Sequence, residues 1–523
     1  MNYKSLLLKL AVILVAGLAI AGCEYFKLMS YNEWVEYKED YFYGGDDFPE
    51  NAVFVVSISS SVGWIPDGSQ EHPYFTIQSA IDNATLDGNN KGFVFVQSGT
   101  YNEQVNIKQG FSIFGGYTDN WEPGTVQSVI SVNSSASSDA ALVASGILEE
   151  TIVRGFSIEY NPSASTAQAV YISGSNIVLR SCTIKAPPNN MMKSCVYAYQ
   201  SDLTVENCDI ILTANVSMSQ SGINLTEPHN TSIIFSRINY STSSDNPGYC
   251  TGIYASSANS TYDYIIENNT IVLAGDATAD SLTGIKLQGG ESNTFIKRNR
   301  ISCYKSPSIA IIKTESTTGG GLYVYNNDFI GYHPDSINDF YFINTSKLLF
   351  AYNNTMYMQT VSSIGSAYFI NCTNASSQFR PKIINNIFYL SGHNQGVIYG
   401  LSQVDPLVPS AFNNNNFYKN TSSNPSTFMM FKSGSTTIDY SNYTSTQMTV
   451  LNGTSSSTGK ISDFGNIVAD PGFNISNYGF ADPNSLKPSN STLKGAAQNL
   501  SGTFTNDINL VNRGSSWTIG AHQ

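Results

Sequence analysis

The sequence predicts an all-β solenoid: short strands wound into about a dozen stacked coils, with one short capping helix near the start. Three observations predict it. The first is a repeat. Nine times between Leu179 and Phe417 the chain places an apolar residue, two or three polar residues rich in asparagine, and another apolar residue. Examples are L-R-S-C-T-I from Leu179, I-E-N-N-T-I from Ile266 and V-Y-N-N-D-F from Val324, at a spacing of 26 to 33 residues. That length suits one coil of about three short strands and three turns; a β-propeller blade needs about 40–50 residues. The second is a column at the fourth position of the repeat: Cys182, Cys208, Ser236, Asn269, Asn299, Asn327, Asn354, Asn386 and Asn415. Stacked coils bring such residues to about 4.8 Å, where asparagine amides bond to their neighbours and tolerate turn conformations. The third is an apolar strand upstream of each repeat: Val170-Tyr171-Ile172, Val196-Tyr197-Ala198, Ile223-Asn224-Leu225, Ile253-Tyr254-Ala255, Ile285-Lys286-Leu287 and Ile309-Ala310-Ile311. Phe342, Phe369 and Ile398 continue it. Outer residues of each triplet face in and the middle one faces out.

Along the chain, residues 1–22 read as a signal peptide, with Lys4 and Lys9 at an apolar run from Leu6 to Ile20. The run ends Ile20-Ala21-Gly22-Cys23, which resembles the bacterial lipobox. The resemblance implies that Cys23 becomes the first mature residue and carries the lipid. Several acyl chains would then anchor the chain firmly, since one alone is marginal. Residues 23–50 form an acidic, aromatic tether; Asp46-Asp47 lacks the spacing of a calcium loop. Residues 51–120 hold the N-terminal cap and first coils: an amphipathic helix near Thr76–Ile81, then strands at 92–101, 105–107 and 111–117. Residues 121–460 are the repeats. Residues 461–523 are C-terminal coils and a cap, because exposed strand edges of a solenoid need covering.

In its repeats the chain resembles the right-handed parallel β-helix proteins of the pectin-lyase-like superfamily, over roughly residues 50 to 523. The right-handed winding is implied by that resemblance. The order of helix, V-F-V-Q-S-G-T-Y at 94–101 and I-F-G-G-Y at 113–117 resembles the first coils of bacterial surface β-helix proteins. Asp470-Pro471-Gly472-Phe473 and the terminal Thr518-Ile519-Gly520-Ala521 resemble the D-P-x-F and D-I-G-A segments that close such proteins, with Thr518 where aspartate is usual.

The net charge is −13, or −15 once Lys4 and Lys9 leave with the signal. That balance disfavours nucleic acid and anionic membrane surfaces as partners. Cys182 and Cys208 stand in one column of adjacent coils, at a separation a disulfide accepts in an oxidising compartment, and they are a candidate disulfide. No Cys/His spacing fits a metal, and no cofactor is expected.

Many relatives in the resembled superfamily cleave polysaccharides, with grouped carboxylates or a carboxylate-held cation plus a basic residue. The outward column here reads Tyr171, Tyr197, Asn224, Tyr254, Lys286 and Ala310, without a carboxylate. The pairs Glu267 with Lys297 and Arg300 with Asp328 read as cross-strand ion pairs. Tyr171, Tyr197 and Tyr254 are the ligand-binding candidates, because aromatic rings stack on sugars and protein partners. The expectation is a lipoprotein on the outer membrane or cell surface, anchored through Cys23. It would serve as a non-catalytic scaffold for adhesion or for binding glycans or cell-surface proteins. The alternative is a polysaccharide lyase or glycoside hydrolase.

Overall fold

The computed structural model describes residues 48–439, apart from short segments mostly between strands, then residues 466–473 and 486–523. The signal peptide, Cys23 and the tether up to residue 47 lie outside the described residues. The chain is a parallel β-helix. Each coil gives one strand to each of three sheets. Sheet A has 13 strands, from Ala52–Val55 to Ala411–Asn413; sheet B has 12, from Thr100–Tyr101 to Asn416–Asn420. Sheet C has 13, from Val105–Ile107 to Thr427–Ser433 plus Thr436–Asp439. Among the described strands, only that last one pairs antiparallel.

The asparagine repeat is the turn from sheet A to sheet B. The residue before each column position has positive φ: Asn268 at 56°, Asn326 at 57°, Asn353 at 54°, Asn385 at 62° and Asn414 at 53°. Asparagine enters this left-handed region more readily than other side-chain-bearing residues. Phe235 and Arg298 hold the same conformation (51° and 57°) without that advantage. The next residue turns inward and builds the ladder. Asn269, Asn299, Asn327, Asn354, Asn386 and Asn415 each donate Nδ2 to the Oδ1 of the next member at 2.9–3.1 Å, and the run ends on Asn466. Each Oδ1 also accepts a backbone N–H from the coil before, as Asn354 does from Asn327 at 3.1 Å. These amides are buried, and the ladder satisfies groups that burial alone would make costly. Above it, Ser236 accepts from the Cys208 N–H at 3.1 Å.

Apolar columns fill the interior, with Leu179, Val205, Ile233, Ile266, Ile296, Val324, Ala351, Ile383 and Phe412 in one continuous register of sheet A. The first coils are covered by one helix, α1 (Ile77–Asn83), whose Ile77, Ala80 and Ile81 are buried. Thr76 caps it by accepting from Ser79 N, and the Glu103 carboxylate accepts from Ile77 N and Gln78 N at 2.7 and 3.0 Å. These bonds satisfy N–H groups that have no partner inside a helix. Phe48, from the end of the tether, packs edge-on against Phe54 and Phe95.

Sheet C departs from simple alternation. At Cys195-Val196, Gly284-Ile285 and Ile311-Ile312 two consecutive residues are buried. The kink shifts the register expected from the sequence: Lys286 pairs with Lys313, and Ala310 pairs with Thr283. Ala310 therefore does not belong to the tyrosine column. Likewise Ile309 aligns with Phe340, Ala367 and Ile398, while Phe342 and Phe369 sit at the kink.

The C-terminal segment covers the side of the solenoid. Residues 486–523 run along the corner between sheets A and B as a strap. The outward asparagines of the turns hold it: Asn326 Nδ2 donates to Asn506 O (2.7 Å), Asn385 Nδ2 to Gln498 O (2.8 Å) and Asn414 Nδ2 to Ala496 O (2.8 Å). The strap buries Ile330, Tyr357, Ile387 and Tyr389 under Leu486, Leu493 and Ile519, and Tyr352 and Ile384 under Phe504 and Trp517.

Candidate functional site

The outward column of sheet C runs Val143, Tyr171, Tyr197, Asn224, Tyr254, Lys286, Lys313, Asn344. The structure brings the three predicted tyrosines into one column. Tyr171 and Tyr197 stack at 5.6 Å with 16° between planes. Asn224, small and nearly buried, follows. Tyr254 comes next: its hydroxyl donates to Gln288 Oε1 at 2.7 Å, and Lys286 Nζ lies over its ring at 5.8 Å. Around Tyr197, Asn224, Tyr254 and Lys286 lies a groove of about 580 Å³, lined also by Lys193, Gln220, Ser221, Thr226, Thr251 and Thr283. Hydroxyls and amides make its floor, and lysines stand at both ends. Glu315 joins the lysines of one end, 3.2 Å from Lys286 and 2.8 Å from Lys313. Burial opposes ionisation of Glu315, but its bonds and charges from Lys313 and Lys286 hold its carboxyl below the usual glutamate value.

The sequence reading missed a second tyrosine ladder on the same sheet. Tyr341, Tyr368 and Tyr399 stack at 5.0 and 4.9 Å, with planes within 16°. The signal was present as a tyrosine in each coil, but it lies before the kink, where a constant period misaligns it. Sheet A carries a third ladder, Phe295, Tyr323 and Phe350, at 4.9 and 4.6 Å.

The charged candidates pair across coils, as their register requires. Glu267 is opposite Lys297 and forms ion pairs with both Lys297 and Arg298. Similar pairs join Arg180 with Glu206 and Arg237 with Asp209, each at 2.7 Å. Asp328 differs from the expectation. It is opposite Arg300, but the strap covers it completely, and it bonds to Arg300 at 3.3 Å and to buried His522 Nε2 at 2.9 Å. Burial alone would raise the Asp328 carboxyl; the His522 and Arg300 charges and hydrogen bonds outweigh it and hold the carboxyl below its ordinary value.

Cys182 and Cys208 occupy adjacent coils and carry free thiols in the structure. Cys182 Sγ donates to Val153 O (3.5 Å) and Cys208 Sγ to Leu179 O (3.4 Å), so the reduced ladder is hydrogen-bonded. Burial pushes the thiols of Cys208 and Cys250 well up, and that of Cys372 to about 12. Among the described residues no group of three or more His, Cys, Asp or Glu side chains is placed to hold a metal ion, and no helix is long and apolar enough to cross a membrane.

Taken together, fold and site define a parallel β-helix protein with a polar, aromatic-walled groove along one sheet. The chain belongs to the DUF1565 family, described as proteins of unknown function, whose model matches residues 65–336, just over half of the sequence. No curated protein matches it. Among solved structures it is similar to a pectin methylesterase in complex with a hexasaccharide (10% identity, TM-score 0.25, covering 81% of this chain and 91% of that one). It is also similar to pectin methylesterase from carrot (11%, TM-score 0.23, 75% and 91%) and to PemA of Erwinia chrysanthemi (10%, TM-score 0.21, 81% and 91%). The fold assignment rests on the strand register itself.

Proposed function

We propose that this chain is a lipid-anchored bacterial envelope protein whose β-helix binds glycans along sheet C without transforming them. One observation carries the reading: Tyr197, Asn224, Tyr254 and Lys286 share one outward column within a groove floored by hydroxyls and amides. Aromatic faces pack on the C–H faces of sugars while short polar side chains meet their hydroxyls. The cross-coil pairing of Glu267, Lys297 and Arg298 accounts for those charges structurally, which supports binding over turnover.

On an array of neutral and acidic oligosaccharides, the full chain is expected to bind, and Tyr254→Ala to bind about tenfold more weakly, the scale of one lost aromatic contact. Release of reducing ends or unsaturated products, abolished by Lys297→Ala, would instead establish the enzyme alternative. Anchoring is tested separately. In a bacterial host fed an alkyne fatty acid, the wild type is expected to take label and sediment with membranes. Cys23→Ala is expected to lose both; a labelled Cys23→Ala protein would refute the anchor.

A further inference from the structure

We infer that the break in the tyrosine ladder at Asn224 is a slot for one pyranose ring, held face to face between Tyr197 and Tyr254. The inference rests on the glycan-binding reading and specifies where and how a sugar enters. A ladder of outward rings stacked coil on coil hides its own faces. Tyr171 covers one face of Tyr197 at 5.6 Å, so Tyr197 presents only its far face, the one toward Asn224. Lys286 covers one face of Tyr254, leaving the face toward Asn224. Asn224 is the one position between them in the column, and the groove opens where Tyr197, Asn224 and Tyr254 line it.

The dimension selects the ligand. Two coil rises separate the tyrosines by about 9.6 Å, at about 4.8 Å each. A planar ring midway would lie about 4.8 Å from either face, beyond the ~3.5–4.0 Å at which carbon atoms attract best. A puckered pyranose carries C–H bonds above and below its mean plane, and these take up about an ångström on each side. Its equatorial hydroxyls would then meet the rim, where Ser221, Thr226 and Thr251 line the groove and Asn224 forms the floor. The ladder of Tyr341, Tyr368 and Tyr399 provides the contrast: unbroken at 5.0 and 4.9 Å, it has no such opening.

The test is saturation-transfer NMR and titration with unbranched gluco-, galacto-, manno- and galacturono-hexasaccharides. At least one is expected to bind, with saturation reaching the axial protons on both faces of one sugar unit. Asn224→Tyr, which completes the ladder, is expected to reduce affinity at least tenfold while leaving the melting temperature unchanged. Asn224→Leu fills the same gap should the tyrosine variant fold poorly. Tyr323→Ala, in the unbroken ladder of sheet A, is expected to stay within about threefold. If Asn224→Tyr and Asn224→Leu fold and bind as the wild type does while Tyr254→Ala is weakened, the slot is refuted and glycan binding by sheet C stands. If no hexasaccharide binds the wild type, both fall.

Discussion

Replacing Asn354 with leucine is expected to destabilise the protein by roughly 2–4 kcal/mol, because an unsatisfied buried polar group costs about 1–3 kcal/mol and three neighbouring groups lose one hydrogen bond each. Asn354 Nδ2 donates to Val324 O and Asn386 Oδ1, and its Oδ1 accepts from Asn327 N and Asn327 Nδ2, all at 2.8–3.1 Å. The substitution takes the ladder acceptor from the Asn327 N–H and one bond each from Asn327 Nδ2, Val324 O and Asn386 Oδ1; Asn327 Nδ2 keeps Ile296 O and Tyr325 O, and Asn386 Oδ1 keeps the backbone N–H of residue 354. Leucine is close to asparagine in reach, so the loss is polar and not a cavity. A solenoid is stabilised by nearest-neighbour contacts, so the damage should be local. Amide exchange is expected to accelerate in the coils around 324–390 before those around 170–210. Denaturant titration showing a loss under about 1 kcal/mol would mean that the ladder is satisfied in some other way.

The second large effect is expected from the strap. Deleting residues 486–523 uncovers Ile330, Tyr357, Ile387, Tyr389, Tyr352 and Ile384 together with the Asp328 carboxylate. The truncated chain is expected to lose cooperative melting of its C-terminal coils and to aggregate, since a contiguous exposed apolar surface promotes association. Asp328→Ala isolates the polar part. Removing one partner of a buried charge pair costs about 3–5 kcal/mol, much of it from the charges left behind. Here the charge left behind is that of Arg300, and the buried His522 ring loses its hydrogen-bond partner as well. The pH dependence follows from the direction of the shift. The folded Asp328 value lies below the ordinary one, so the unfolded chain takes up protons first as pH falls. The stabilisation is complete above the unfolded value, about 3.9, and is lost as pH falls through the folded value. Wild-type melting should therefore drop below about pH 4 more steeply than that of Asp328→Asn; parallel acid profiles would assign the acid sensitivity to other groups.

Much of this architecture was legible in local pattern. Asparagine repeats at 26 to 33 residues mark each turn from sheet A to sheet B, and the column from Cys182 to Asn415 is the ladder observed, in the same order. The helix was visible from the spacing of Ile77, Ala80 and Ile81 behind Thr76. Alternation also placed Tyr171, Tyr197 and Tyr254 outward in one column. It failed at Ala310, because two consecutive inward residues at the kink break a period of two.

By itself the sequence determined the coil, its register in sheets A and B, and the outward tyrosines, since each of these repeats at a fixed interval and needs only neighbouring coils. The tertiary structure alone decided which side the C-terminal segment covers. It showed that Asp328 is buried against His522 across 194 residues of chain, and that lysines and hydroxyls surround the gap at Asn224. The physical reason is range. A stacked coil imposes its period on the residues that build it, whereas a strap that crosses many coils, or a groove gathered from several strands, leaves no period to read.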